Sequence, residues 1–363
     1  MSNTNDLPPP KLEIGVLGWC RKHLFSSWHN TLLTIVVAYF LATMIGPLLN
    51  WLIFDATFVG TQPSDCNGAA GACWVFINQR INFYIYGFYP DPLQWRINVM
   101  FVLLAVAFVP QFIESFPKRK WFGIFGLTGL PLIGCILIPG GYFGLESVPS
   151  SKWGGLALTL ILSYVGIVAS LPLGTLLAMG RRSDMPIIRG LCVVFIEVWR
   201  AVPLITVLFM ASVMLPLFLP EGMNFEKLAR ALIGITLWQS AYMAEEIRGG
   251  LQAIPKGQYE AASALGLGYW KKMGLIILPQ ALTLVIPGIV NTFISLFKDT
   301  TLVLIIGLFD ILGAVQSTIT DPAWQNVTTE GYVFVAFCFW VFCFGMSRYS
   351  QNLESKLDTS HRN

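Results

Sequence analysis

Charge is what this 363-residue chain has least of: 23 Lys+Arg and 20 Asp+Glu make 12% of it, about half the share of an ordinary water-soluble domain. That scarcity excludes a soluble globular chain. A net charge of +3, small and dispersed along the sequence, excludes a nucleic-acid footprint. Histidine is nearly absent: His23, His29 and His361 stand apart in the terminal regions, which supports neither a histidine metal site nor a Ser-His-Asp triad. The phosphate loop G-x-x-x-x-G-K-[ST] is missing, so the sequence offers no ATP cradle. No cleavable leader is expected either. The start, MSNTNDLPPPKLEI, has no basic region followed by a short apolar core, and the first apolar run is expected to stay as an anchor. Glycine (33) and proline (21) are scattered through apolar runs, which excludes a coiled coil or a collagen-like repeat. No internal repeat is evident, which argues against a carrier built from two related halves.

What is abundant is apolar sequence, 55% of the chain with 26 Phe. A helix crosses the hydrocarbon with roughly 20 residues, and uncharged runs of that order occur near 31 to 53, 97 to 113, 122 to 140, 154 to 179, 202 to 219, 229 to 244, 281 to 297 and 331 to 347. An all-α integral membrane protein of about eight transmembrane helices is expected, with residues 187 to 200 as the cytoplasmic approach to the fifth. With the N-terminus inside, 16 Lys and Arg fall in cytoplasmic segments and five outside (Arg80, Arg96, Lys152, Lys227 and Arg230). That lopsidedness places both termini in the cytoplasm. Of seven Cys, five lie in apolar or cytoplasmic stretches, where free thiols are ordinary. Cys66 and Cys73 lie in the outer loop between Trp51 and Asn98, and their Gly-rich surroundings allow a disulfide if that compartment is oxidising.

Residues 1–150 hold three spans, an outer loop and no intramembrane charge; residues 151–350 hold five spans and nearly all the unusual polar positions. Residues 351–363 form a cytoplasmic tail. Between spans six and seven runs the largest inner loop, residues 244–282. Pro255 suits a first helical turn, Tyr259 to Leu265 forms a short helix, and Gly266 and Gly268 end or bend it. Ala261, Ala262 and Ala264 let another backbone approach, with Lys256 and Glu260 at the margin to pair with a partner.

Within that loop, EAASALGLGYWKKMGLIILP resembles the cytoplasmic signature of importer permeases in the ATP-binding cassette (ABC) superfamily. Glu260, Ala261, Ala262, Gly266, Ile276, Leu278 and Pro279 occupy its positions without a gap. The words IEVWRAVP from Ile196, QSAYMAEEIRGGLQAIPKGQYEAA from Gln239 and SLFKDTTLV from Ser295 are similar to the polar amino-acid branch, and the eight-span layout to its larger, general L-amino-acid permeases. The resemblance implies a type I ABC importer permease core at 151–350 with three extra N-terminal helices, in a bacterial inner membrane. It implies that Lys256, Glu260, Ala261, Ala262 and Gly266 form a coupling helix for a cytoplasmic ATPase. It also implies two ATPase subunits that carry ATP and Mg, a second and commonly different permease, and a periplasmic amino-acid-binding protein. No cofactor and no catalysis are then expected on this chain.

An ionisable group in hydrocarbon costs about 2.5 to 3.5 kcal/mol on insertion scales, so it faces protein or an aqueous path. On the seventh span Asn291, Ser295 and Lys298 fall within roughly 60° of one another, with Gly288 alongside and Asp299 and Thr300 just beyond. A zwitterionic amino acid needs an anion for its ammonium and donors for its carboxylate, and this stripe supplies both kinds. Three readings stay open: direct substrate contact, gating without contact, or Lys298 and Asp299 neutralising each other while Asn291 and Ser295 bond across to the second permease. Glu245 and Arg248, three apart on a helix, suit a local pair; Glu197 and Arg200 have the same spacing, with Pro203 following, and the resembled branch carries Glu, Arg and Pro in that arrangement. With Glu246 they are assigned to the inner mouth or a subunit contact. The rival to an ATP-driven permease is an ion-coupled carrier or channel that uses Lys298, Asp299 and Glu246 as a charge relay.

Overall fold

In hydrocarbon only the chain itself can satisfy peptide N–H and C=O groups, so each apolar run closes its own hydrogen bonds as a helix. The computed structural model describes residues 15–66, 70–113, 116–218, 220, 225–324 and 327–360. His361 and the end of the expected tail lie outside them. The described residues are helical, with two isolated bridges and no strand. They divide into two compact units, residues 1–78 and 79–363.

The first unit contains α1 (Gly15–His23) and α2 (Trp28–Leu49), the latter running on through a π-turn, Asn50–Phe54. The Ser27 hydroxyl caps α2 by accepting from the Asn30 N–H at 3.3 Å. The outer loop then folds back on the end of this helix. The Ala72 N–H donates to the Trp51 carbonyl at 2.8 Å and the Trp74 indole to the Leu52 carbonyl at 2.9 Å. Cys66 and Cys73 are joined by a disulfide, their Cα atoms 5.7 Å apart. Beside it, the Gln62 and Thr61 N–H groups donate to the Asp65 carboxylate and hold its pKa below the usual range. Helix α3 (Trp74–Tyr86) begins in this unit and ends in the second.

The second unit begins with α4 (Trp95–Phe112), then α5 (Arg119–Ile124) and α6 (Leu130–Leu137) around a π-turn. It continues with α7 (Gly155–Arg181), α8 (Pro186–Ala201), α9 (Leu204–Phe209), α10 (Leu215–Phe218), α11 (Lys227–Ala253) and α12 (Lys256–Ala264). Next come α13 (Tyr269–Lys272), α14 (Leu278–Asp299), a 3-10 segment (Thr300–Ile306), α15 (Ile311–Thr318) and α16 (Thr328–Ser360). Among the described residues six helical stretches are long and apolar enough to cross a membrane, or seven if Pro186–Ala201 and Leu204–Phe218, bent by 101°, count as one span.

Eight are expected from the apolar runs, and the shortfall is α11. Its 27 residues are long enough, but Arg230, Gln239 and Ser240 are buried in it and Glu245, Glu246 and Arg248 follow. Helices α7, α8, α9 and α14 all pack on it. Surrounded by protein instead of lipid, it has no need to be apolar throughout. Small residues bring the helices together. A Cβ on Gly174 of α7 would stand 2.7 Å from the Met243 Cβ, and one on Gly166 would stand 3.0 Å from the Ile235 Cγ2. Two apolar cores result, one around Leu162, Leu208, Ile235 and Leu296, the other around Ile196, Met243, Ile247 and Ile277. A third cluster, Tyr89, Ile97, Ile138, Val148 and Ala157, packs residues 79–150 of this unit against the start of α7.

At the other end of α7 from Arg181, the Gly155 N–H donates to the Phe309 carbonyl at 2.8 Å and the Ile311 N–H to the Thr159 hydroxyl at 3.1 Å. Asp310 is fully buried there, Oδ1 capping α15 through the Gly313 N–H at 2.9 Å and Oδ2 without a hydrogen-bond partner among the described residues. Burial pushes its pKa up to about 6. The protonated form is therefore favoured by folding. This stability contribution is complete below about pH 4, declines as pH rises through 6, and amounts to about 3 kcal/mol. Asp310→Asn keeps the cap acceptor, so unfolding midpoints of the purified chain between pH 4 and 7.5 are expected to lose most of that slope. An unchanged slope would remove Asp310 as its source.

Candidate functional site

The segment after α11 is built as a braced projection. Pro255 stands just before α12, its extended backbone turning the chain, and the helix covers Lys256–Ala264, starting three residues earlier than the sequence suggests. Its end is a two-bond cap. The Leu267 N–H donates to the Ala262 carbonyl at 3.3 Å and the Gly266 N–H to the Ser263 carbonyl at 2.9 Å, with Gly266 at φ +71°. Only glycine adopts that left-handed conformation freely, which explains its place in the motif. Ala262 is 1% exposed and faces inward, so of the three alanines only Ala261 and Ala264 remain outside, with Lys256 and Glu260. Leu265 lies 76% exposed beside them, an apolar side chain at the tip of a projection.

The brace runs through Tyr259. Its hydroxyl donates to the Leu251 carbonyl at 2.9 Å, and Arg182 Nη1 reaches both that carbonyl (2.5 Å) and the hydroxyl (3.0 Å), with the guanidinium over the tyrosine ring. Lys272 adds a bond to Ser263 at 3.1 Å. Helix α12 is thereby fixed to the ends of α7 and α11.

One residue along, Arg181 enters an ionic cluster centred on Glu245. Arg181 Nη1 lies 2.6 Å from Glu245 Oε1, Arg248 binds the same carboxylate through Nε and Nη2 at 2.8–3.1 Å, and Arg200 Nη1 stands 3.7 Å away. The Glu245–Arg248 pair follows from their spacing. Glu197 and Arg200, equally spaced, do not pair with each other: Glu197 takes Arg181 Nη2 at 3.0 Å, while Arg200 sits over the Tyr242 ring. Helix α8 packs on both α7 and α11, and each side chain finds its partner there.

The stripe on α14 is present as a face. Asn291, Ser295 and Lys298 are exposed on it, Asp299 is half-buried, and Thr300 is buried with its hydroxyl donating to the Phe297 carbonyl at 2.8 Å. Lys298 and Asp299 form no ion pair. Helix α14 ends at Asp299 and the chain tightens into the 3-10 segment up to Gly307, also left-handed, so the break expected at KDTT is a change of helix type. The Glu246 carboxylate lies against Gly288, in the space a side chain there would fill. Gln239 ties α11 to α14 through the Thr292 carbonyl at 3.2 Å. An anion, Glu246, thus flanks one end of the stripe and a cation, Lys298, the other.

Sequence reasoning missed Arg181 and Arg182, which read as ordinary loop charges. The available signal was two adjacent arginines closing a 27-residue apolar helix, where 100° of rotation sends one to each side. Asp310 was also missed, for its neighbours are far off in sequence.

Comparison with known proteins places this geometry in context. Residues 170–359 match the family described as binding-protein-dependent transport system inner membrane component. The chain is 57% identical over 341 residues to the inner membrane amino-acid ABC transporter permease protein YhdY of Escherichia coli (strain K12), covering 94% of this chain and 93% of that protein. It is 38% identical over 420 aligned positions to the glutamate/glutamine/aspartate/asparagine transport system permease protein BztC of Rhodobacter capsulatus, covering 98% and 96%. Among solved structures it is similar to an amino acid ABC transporter with histidines, at 29% identity and a TM-score of 0.49, over 56% of this chain and 92% of that one.

Proposed function

The chain belongs to the binding-protein-dependent transport system inner membrane components, and from that premise we propose that it admits polar L-amino acids to the cytoplasm by alternating access as one permease of a pair. It is the membrane-spanning permease subunit of an ABC importer. Two separate ATPase subunits, with ATP and Mg, supply the work; a periplasmic binding protein delivers the cargo, and the second permease is a homologous, different chain. The membrane is the bacterial inner membrane and both termini are cytoplasmic. Acidic amino acids and their amides are the first substrates to try, since one relative carries that description.

The observation that carries the proposal is the braced α12, its capped tip exposed and its root bonded to the ends of α7 and α11. A connector with no partner has no need of that rigidity. The part that Lys256, Glu260, Ala261 and Gly266 play is to seat in the ATPase, while Ala262, packed inward, joins α12 to the body that carries its nucleotide-driven motion to the Glu245 cluster. There Glu197, Arg200, Glu245 and Arg248 hold the inner mouth closed or open as a unit. Moving such a two-state element from 1:99 to 99:1 takes about 5.5 kcal/mol of differential binding.

For the cargo, Lys298 and Asn291 offer donors to a carboxylate, Glu246 and Asp299 offer acceptors to an ammonium, and Ser295 and Thr300 border the path. Lys298→Met in the assembled importer is expected to lower uptake at least tenfold, mainly through a raised KM. Transport with an unchanged KM and substrate range would take Lys298 out of recognition.

A further inference from the structure

The end of α7 opens onto an unassigned recess of about 900 Å³, lined by Arg181, Arg182, Arg189 and Arg248 with Ser183 and Gln252, and by the first turns of α8. Four guanidinium groups face one carboxylate of the lining, Asp184. Glu245 and Glu197 neutralise part of Arg181 and Arg248, but the Arg182 guanidinium spends only Nη1 on protein acceptors and the Arg189 guanidinium forms no hydrogen bond or ion pair among the described residues. Helix α8 adds the positive end of its dipole, since Pro186 at its start lines the same space.

Helix α8 has three distinct faces. Pro186, Arg189, Gly190 and Val193 line the recess. Ile196 is buried, and Phe195 packs against the apolar core. About a third of a turn round from the recess, Ile187, Leu191, Val194 and Val198 form a stripe of exposed aliphatic side chains. The 101° bend before α9–α10 lays α8 along the membrane surface if α9–α10 crosses it, and an amphipathic helix so placed sinks its apolar stripe among acyl chains.

The geometry points to a binding site for the phosphate headgroup of an anionic phospholipid of the inner leaflet, with the arginines on the phosphate and the acyl chains along the aliphatic stripe of α8. Charge complementarity selects an oxyanion, and the adjoining stripe selects one that carries hydrocarbon. A bound phosphate would also hold Arg182, the brace of Tyr259, so the lipid would favour the docked posture of α12. The inference rests on the proposed placement of this end at the cytoplasmic surface, and its test is scored by lipid retention, independently of transport.

The assembled importer, full chain with its ATPase subunits, is purified from membranes of mixed phosphatidylglycerol and phosphatidylcholine, and retained lipid and subunits are counted by native mass spectrometry. Each arginine near an anionic headgroup is worth about 1 kcal/mol, roughly a fivefold change. Wild type is expected to be enriched in phosphatidylglycerol, with about fivefold less enrichment in Arg189→Gln and about 25-fold less in Arg182→Gln/Arg189→Gln. Arg189→Lys keeps the charge at an exposed position and should retain most of the enrichment. Equal retention of the two lipids, or enrichment untouched by the substitutions, would overturn the site. So would full displacement by millimolar inorganic phosphate, which would mark a free-anion site. Loss of the ATPase subunit from the double variant with lipid retention intact would likewise overturn it, by assigning the arginines to a protein contact.

Discussion

Glu245→Gln is expected to destabilise the chain by about 3 kcal/mol and to abolish uptake. The carboxylate is 15% exposed and balances Arg181 at 2.6 Å and the bidentate Arg248, with Arg200 further off. Removing one member of a fully buried charged group costs roughly 3–5 kcal/mol because the others are left uncompensated, and this part-buried cluster belongs at the lower end of that range. Distance and exposure rank the partners. Arg200 stands at 3.7 Å with 37% of its side chain exposed, and an exposed pair of that kind is worth at most about 1 kcal/mol. Arg200→Gln should therefore leave the unfolding midpoint close to wild type, and Arg181→Gln should fall between the two, because Glu245 keeps the bidentate Arg248 and Glu197, 56% exposed, is solvated without a partner. The unfolding midpoint of each purified variant, with uptake after reconstitution, checks the order. Equal stabilities for Glu245→Gln and Arg200→Gln would contradict the clustered account.

Gly266→Val is expected to reduce uptake and substrate-stimulated ATPase activity together, by about tenfold, while membrane insertion persists. A Cβ at Gly266 meets nothing within 4 Å, so the effect is conformational: φ is +71° and a β-branched residue resists it. Forcing an L-residue left-handed costs roughly 1–2 kcal/mol, and a 1.4 kcal/mol bias against the capped posture is a factor of about ten. Asparagine tolerates that region, so Gly266→Asn should keep most of the activity. Equal losses in both variants would mean that the glycine serves close approach of a partner and not the cap. Unaltered activity in Gly266→Val would detach α12 from coupling.

Much of this architecture was legible in the sequence because lipid imposes a simple rule on composition. Runs of apolar residues near the lengths required gave α2, α4, α7 and α14 within a few residues, and the start of α16, which continues past 347 to Ser360. The run 229 to 244 lies inside α11, whose polar residues, packed on protein, keep the helix from passing as an apolar span. The division of the long run from Leu191 to Leu219 at 200 to 202 coincides with the end of α8 at Ala201 and the start of α9 at Leu204. Local spacing found the Glu245–Arg248 pair and the α14 stripe, since both lie within one helix. It passed over Arg181, the partner of both Glu245 and Glu197, because a contact across 64 positions leaves no local periodicity. Asp310 belongs to the same class: its burial is made by the start of α7, more than 150 positions away.

The claim on which the rest depends is that α12 is where an ATPase engages this chain. Glu260→Cys in the assembled importer, probed with a short thiol-to-amine cross-linker, addresses it directly. Cross-linking to the ATPase subunit is expected, with a yield that changes between the ATP-bound and nucleotide-free states and uptake blocked by the link. ATP-driven uptake in a complex where position 260 cross-links to no partner in any nucleotide state would contradict it.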